Sequence, residues 1–227
     1  MKKIGLMVLL VLLQACASRV EDVEVNVEEV VEVNPIDEID LSLKPDESGE
    51  IMVLMYHGIG SEESDWVRTS DNFRKDLQTL YDEGFRPISL GDFISGTITT
   101  EAGYTPFVLT FDDGRIDNYR ILEDGSIDPN CALGILIEFN EAHPDFLLEA
   151  TFFLTGDNIF GQSKYVEQKL NYIIELGMDL GNHTLTHPNF SKINDASTIQ
   201  KEMGQMIQRI ESYLHSEYSV NTLALTY

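Results

Sequence analysis

The chain has 227 residues, with 39 acidic against 15 Lys and Arg side chains and a formal net charge of −24. A balance this acidic excludes nucleic-acid backbones and anionic membrane surfaces as electrostatic partners. The two cysteines, Cys16 and Cys131, cannot build a disulfide framework.

Residues 1–16 read as a lipoprotein signal peptide. Lys2 and Lys3 give a charged start and Ile4 to Leu13 an apolar stretch, shorter than the about 20 residues that cross a bilayer. Leu13-Gln14-Ala15-Cys16 resembles the lipobox of bacterial lipoproteins, although Gln14 is unusual there. A lipid on Cys16 implies an extracytoplasmic protein anchored to the bacterial cell membrane; the alternative is an ordinary secretory peptide with a chance cysteine. Cys131 then has no partner and is expected as a small packed residue at a helix start.

Residues 17–50 read as an acidic, disordered tether. Val and Glu alternate from Val23 to Val33, Pro35 and Pro45 interrupt, and 12 carboxylates face only Arg19 and Lys44. Mutual repulsion and the lack of a covering face disfavour a strand here. With the tether and the two N-terminal lysines set aside, residues 51–227 still carry −16.

The folded domain, 51–227, is expected to alternate strands and helices. Ile51 to Tyr56 is a continuous apolar run, as in a parallel strand covered on both faces. Capping residues at Ser70 to Asn72 and the spacing of Phe73, Leu77 and Leu80 predict a helix ended by Gly84. Phe85 to Ile88 is a short strand, Leu90 to Ile94 a helical turn, and Pro106 to Phe111 a third strand. Residues 115–130 are a polar loop excursion. Helices are predicted over Cys131 to His143, Tyr165 to Leu176 and Ser197 to His215, and strands over Ala150 to Thr155, Met178 to Gly181 and, as a sixth, Thr222 to Leu225. Such alternation with short connections gives a parallel α/β architecture.

Two clusters carry chemistry. The third strand ends in Asp112-Asp113-Gly114. A buried strand cannot enclose two charges, so both carboxylates belong at its exit, where water or a metal reaches them. Alone, this is more readily a polar turn. Downstream, His183 and His187 follow another strand, four residues apart. On a helical turn that spacing puts two imidazoles on one face, able to grip one ion. Both clusters leave strands at the same end of the sheet, so an Asp-His-His set can converge there.

Thr110-Phe111-Asp112-Asp113-Gly114 and His183-Thr184-Leu185-Thr186-His187 resemble the first two motifs of the polysaccharide deacetylases, the NodB-homology or carbohydrate esterase family 4 group. Ala150 to Leu154 resembles the strand between those motifs and Leu54-Met55-Tyr56-His57 the opening strand; the 115–149 segment is longer than the usual pattern. The resemblance implies a distorted (β/α) barrel and metal-dependent removal of acetyl groups from an N-acetylated polysaccharide, with metal-bound water as the nucleophile. It makes Asp112 the general base and Asp113, His183 and His187 the ligands of a divalent metal, zinc first, with cobalt or nickel as alternatives. The oxyanion would be met by the metal and by the backbone N–H of the third-motif tyrosine, Tyr227.

The sequence departs from that pattern after residue 220. Leu223-Ala224-Leu225-Thr226-Tyr227 keeps only the tyrosine of the third motif, with Ala224 where the arginine that orients the base would fall. The later motifs, including a histidine that protonates the leaving amine, do not follow, so the last barrel strands are expected to be missing from this chain. O-acetyl ester hydrolysis on similar glycans, or carbohydrate binding without catalysis, are the alternative activities. His57 is a candidate for support at the same rim; Trp66 and Tyr104 are candidate sugar-stacking residues; His143 and His215 are expected near helix ends on the surface.

Overall fold

The computed structural model describes Ser42 and residues 49–227, Asp157 excepted. The signal peptide, Cys16 and all of the tether but Ser42, Gly49 and Glu50 lie outside the described residues. Within them, the apolar run Thr105–Phe111 forms β5, the strand on which the five-stranded sheet is assembled. β1 (Met52–Tyr56) runs parallel to it, with Met52 opposite Phe107 and Tyr56 opposite Phe111. β4 (Phe85–Ile88) pairs with residues 105–108, and β6 (Thr151–Leu154) pairs with Thr110 and Phe111. Because β1 occupies one edge of β5 over 107–111, β4 and β6 share the other in succession. β7 (Asp179–Asn182) extends the sheet beyond β6.

All of these pairings are parallel, which demands long crossovers between strands. They are supplied by α1 (Ser70–Asp82), α2 (Leu90–Ser95), α3 (Ala132–Ala142) and α4 (Val166–Glu175), and α5 (Ala196–Glu211) follows β7. The helices start where a side chain can accept an orphan amide: Thr69 for α1, Ser89 for α2 and Asp195 for α5. Cys131 caps α3, its buried sulfur accepting from the Gly134 amide. The core joins Phe107, Leu109 and Phe111 of β5 to Phe73 and Leu77 of α1 and to Phe152 of β6, all buried. The Phe111 and Phe152 rings stack at 5.0 Å. Each such phenylalanine contributes about 1.5–3 kcal/mol of burial.

Several sequence expectations are corrected. The opening strand is not covered on both faces: Met52, Val53 and Met55 are exposed, because β1 is an outer strand of the sheet. A second, two-stranded parallel sheet, β2 (Gly58–Gly60) with β3 (Val67–Thr69), went unread because its strands have three residues each. The sixth strand over Thr222 to Leu225 is a single bridge from Leu223 to Asn182, so among the described residues the sheet is open. The last helix ends at Glu211 rather than His215.

The 115–130 segment is not a detached polar excursion either. Asn118, Tyr119 and Ile121 are buried, and Ile121 bridges Ile127. Its anchor is Lys169 of α4, a fully buried ammonium donating to the Tyr119 carbonyl at 2.7 Å, the Phe160 carbonyl at 3.0 Å and Gln162 Oε1 at 2.7 Å. Burial pushes this ammonium down to about 8, while its three oxygen partners favour the charged form. Gln162 in turn brackets Ile121, accepting from its amide and donating to its carbonyl.

At the sheet's entry end, burial and the neighbouring charges of Asp179 and Asp92 raise the Glu149 carboxyl to about 7. A folded-state value above the unfolded one stabilises the fold below the unfolded value, and that contribution is lost as pH rises through 7. The Glu149→Gln variant should therefore unfold at a higher temperature than the parent at pH 8 and not at pH 5. After discounting for solvent screening, the gain at pH 8 should be about 1 kcal/mol. A pH-independent difference in thermal scans would sink this account.

Candidate metal centre

The site is built at the exit of β5 and β7. Past Phe111 the ladder runs on by one residue, the Asp112 amide donating to the Tyr56 carbonyl at 2.8 Å. That bond keeps Asp112 in the sheet's frame, only 5% exposed. The chain then reverses at Asp113 (φ 72°) and Gly114 (φ 59°), both left-handed. A side chain at Gly114 would place its Cβ 2.8 Å from Leu154 Cδ2, so the turn requires glycine for space as well as for conformation. The reversal aims the Asp113 carboxylate at the second cluster. Its Oδ1 lies 3.6 Å from His183 Nε2 and 3.4 Å from His187 Nε2.

The histidine segment is not helical, contrary to the reasoning from i and i+4 spacing. Residues 183–189 are a bent loop in which Thr184 (φ 69°) and His187 (φ 52°) are left-handed. The loop brings the two imidazole rings to 4.9 Å, edge to face. Its shape is imposed from several sides. The Thr184 amide donates to Asn182 Oδ1 at 2.8 Å, and the Thr155 hydroxyl donates to the Thr184 carbonyl at 2.7 Å. Glu202 of α5 holds the Thr186 amide and hydroxyl, and the Thr226 hydroxyl donates to the Pro188 carbonyl. Of the described non-glycine residues with positive φ, Asp113, Thr184, His187 and Tyr227 surround this site and Phe160 is the exception. Each costs of the order of 1 kcal/mol or more, and such conformations cluster where a fixed geometry is used.

His183 is 2% exposed, with Nδ1 3.0 Å from the Ala224 carbonyl. Since a carbonyl can only accept, Nδ1 carries the proton and Nε2 offers a lone pair. Burial lowers the His183 pKa against the opposing pull of that hydrogen bond, favouring a neutral ring. Asp113, His183 and His187 thus present one ligand atom each, all within 4.8 Å of one another. Two imidazoles and a carboxylate, one imidazole already fixed by a carbonyl, fit a divalent cation with open positions. Asp112 stands beside the set, its Oδ2 4.0 Å from His183 Nε2. Burial, with a smaller push from Asp113, raises its carboxyl to about 6, and His57 and His187 oppose that.

The remaining candidates fall in different places. Tyr227 is 84% exposed, its ring 5.3 Å from that of His187. Ala224, at the position of the missing arginine, contributes through its carbonyl. His57 lies at the exit of β1 and acts electrostatically on Asp112. His143 ends α3 against the Tyr81 ring, and His215 pairs with Glu167 at 2.6 Å, both away from this rim. Asn182, Glu202 and Thr226, which hold the histidine loop, were not singled out from sequence. The bonds of Glu202 and Thr226 run across 16 and 38 residues, where no local pattern announces them, while Asn182 reaches an amide two residues on.

Gly114→Ala should lower stability by about 1–3 kcal/mol, from the φ and the clash together. An unchanged urea midpoint would show that the Asp112–Asp113 turn does not depend on this position.

A family model, polysaccharide deacetylase, matches residues 101–227. YxkH of Bacillus subtilis (strain 168), whose name places it among the polysaccharide deacetylases, is 21% identical over 182 residues, 78% of this chain and 57% of that protein. The structure is similar to the crystal structure of the Bacillus anthracis protein BA0330, of the same description (TM-score 0.60, 20% identity, 78% of this chain and 51% of that one). It is also similar to Streptococcus pyogenes deacetylase PplD in complex with acetate (TM-score 0.56, 23% identity, 77% and 72%). The chain therefore spans between half and three-fifths of the length of YxkH and BA0330, and at these identities the solved structures speak for the shared parallel α/β fold. With the family model covering more than half of its length, the chain belongs to the polysaccharide deacetylase family.

Proposed function

We propose that this domain hydrolyses the N-acetyl groups of a cell-envelope or extracellular polysaccharide, using a divalent metal, zinc first, held by Asp113, His183 and His187. The observation that carries the reading is the convergence of these three ligand atoms beside a buried carboxyl, Asp112, that is not one of them. A divalent cation in that position supplies Lewis-acid polarisation of the acetyl carbonyl and a lowered pKa for water. The chain's own residues do the rest. Asp112, its affinity for a proton raised by burial, takes one from the attacking water. The backbone N–H of Tyr227, beside His187, is assigned to the developing oxyanion. Departure of the amine needs a proton in return. We assign that proton to His57, which follows β1 at the same rim and acts electrostatically on Asp112.

The substrate is held to be a polymer outside the cytoplasm. The lipobox-like Leu13-Gln14-Ala15-Cys16 supports a lipid-anchored protein, and the acidic tether of residues 17–50 suits a domain held off a membrane surface that is itself negatively charged.

Titration of the full chain with zinc should show stoichiometric binding that Asp113→Asn and His183→Ala each abolish, while the folded circular-dichroism spectrum stays intact. Unaltered binding in both variants would overturn the ligand assignment. In the zinc-loaded chain, His57→Gln should lower kcat on an N-acetylated oligosaccharide by about 100-fold or more without loss of bound metal. A fall of less than a few-fold, with metal retained, would remove His57 from the proton transfer.

A further inference from the structure

The polymer that the deacetylase reading assigns as substrate extends beyond the sugar being deacetylated, so the rim around the metal site should offer a surface to its neighbours. Trp66 and Tyr104 are exposed aromatic side chains, 63% and 41% exposed, and the sequence alone does not separate them. The fold does. Tyr104 immediately precedes β5, at the entry end, its ring covered on one side by the Arg86 guanidinium at 4.1 Å. Asp112 leaves the other end of the same seven-residue strand, about 26 Å away.

Trp66 is at the exit end. The Asp112 amide is bonded to the carbonyl of Tyr56, and the next residue, His57, has its ring 4.8 Å from that of Trp66. The tryptophan's backbone is fixed as well. Its carbonyl accepts from the Gly58 amide at 2.9 Å, and the loop behind it is closed by reciprocal bonds between Ser64 and Val67. An indole that is nearly two-thirds exposed yet held on a fixed backbone, one ring away from a proposed proton donor, is preorganised for a flat apolar partner. The C–H face of a pyranose is such a partner. The same loop forms one wall of a hollow of about 620 Å³, lined by Ser61, Glu62, Arg115 and Asp117 among others, a polar trough in which further sugars can hydrogen-bond.

We propose that Trp66 is the platform on which the sugar flanking the deacetylated residue stacks, and that the trough beside it receives the chain beyond. The inference rests on the deacetylase reading above, and its test separates the two. Trp66 is the single tryptophan of the protein, so intrinsic emission reports on this position alone. In the zinc-loaded full chain, the tetramer of β-1,4-linked N-acetylglucosamine should change the emission and N-acetylglucosamine itself should not. Trp66→Ala should raise KM for the tetramer by about ten-fold and leave kcat within about two-fold, while Trp66→Phe recovers most of the affinity and Tyr104→Ala changes nothing. Turnover of the tetramer with unchanged emission, or with KM indifferent to Trp66→Ala, overturns the platform and leaves the deacetylase reading standing. An emission change without turnover supports the platform and counts against deacetylation. Neither turnover nor an emission change overturns both.

Discussion

The backbone bond from the Asp112 amide to the Tyr56 carbonyl decides what each of two adjacent carboxylates can do. By carrying the β1–β5 ladder one residue past the strand, it holds Asp112 in the buried frame of the sheet. Asp113 is then the first residue free to turn, and it turns left-handed. Identical side chains, one peptide apart, are thereby given opposite tasks: one desolvated and hungry for a proton, the other swung towards two imidazoles. The proposed division into base and ligand rests on strand pairing, not on any difference in the residues.

The second motif solves the same problem with more supports. Its loop is pinned by Asn182 at the strand end, by Glu202 from α5 and by Thr226 from the terminal segment. That terminal segment carries the least regular structure in the domain, yet it supplies the Ala224 carbonyl that sets the tautomer of His183. Where the resemblance leads one to expect a charged side chain from this segment, the chain offers a backbone oxygen. A main-chain acceptor cannot be lost by mutation at its own position, although it can be displaced.

How much of this was legible depended on range. β5, α1, α4 and the strand before His183 were readable because their apolar periodicity is local and their caps are adjacent. Asp112, Asp113, His183 and His187 could be picked out because strands of a parallel sheet deliver their exits to one end. What defeated the reading was geometry set by distant partners. The histidines looked helical by spacing, but Thr184 and His187 adopt left-handed conformations dictated by residues from three other segments. Residues 222–225 looked like a strand by composition, yet a strand needs a ladder and only Leu223 finds a bridge. The opening strand looked doubly covered because exposure of Met55 and Val53 depends on which strand lies beside them.

Lys169 ties the history of this domain to one side chain. Surface insertions are ordinarily free to shorten or vary, since their loss removes little that is buried. Here a main-chain oxygen of the loop after the first motif accepts from an ammonium sealed inside the protein, and Gln162 joins both. Deleting the segment would take one of three oxygens from a buried charge, and replacing the lysine first would leave all three without that donor. Either change alone leaves buried polar groups short of a partner, so positions 119–121, 162 and 169 are coupled, and the loop is tied to the interior through the lysine.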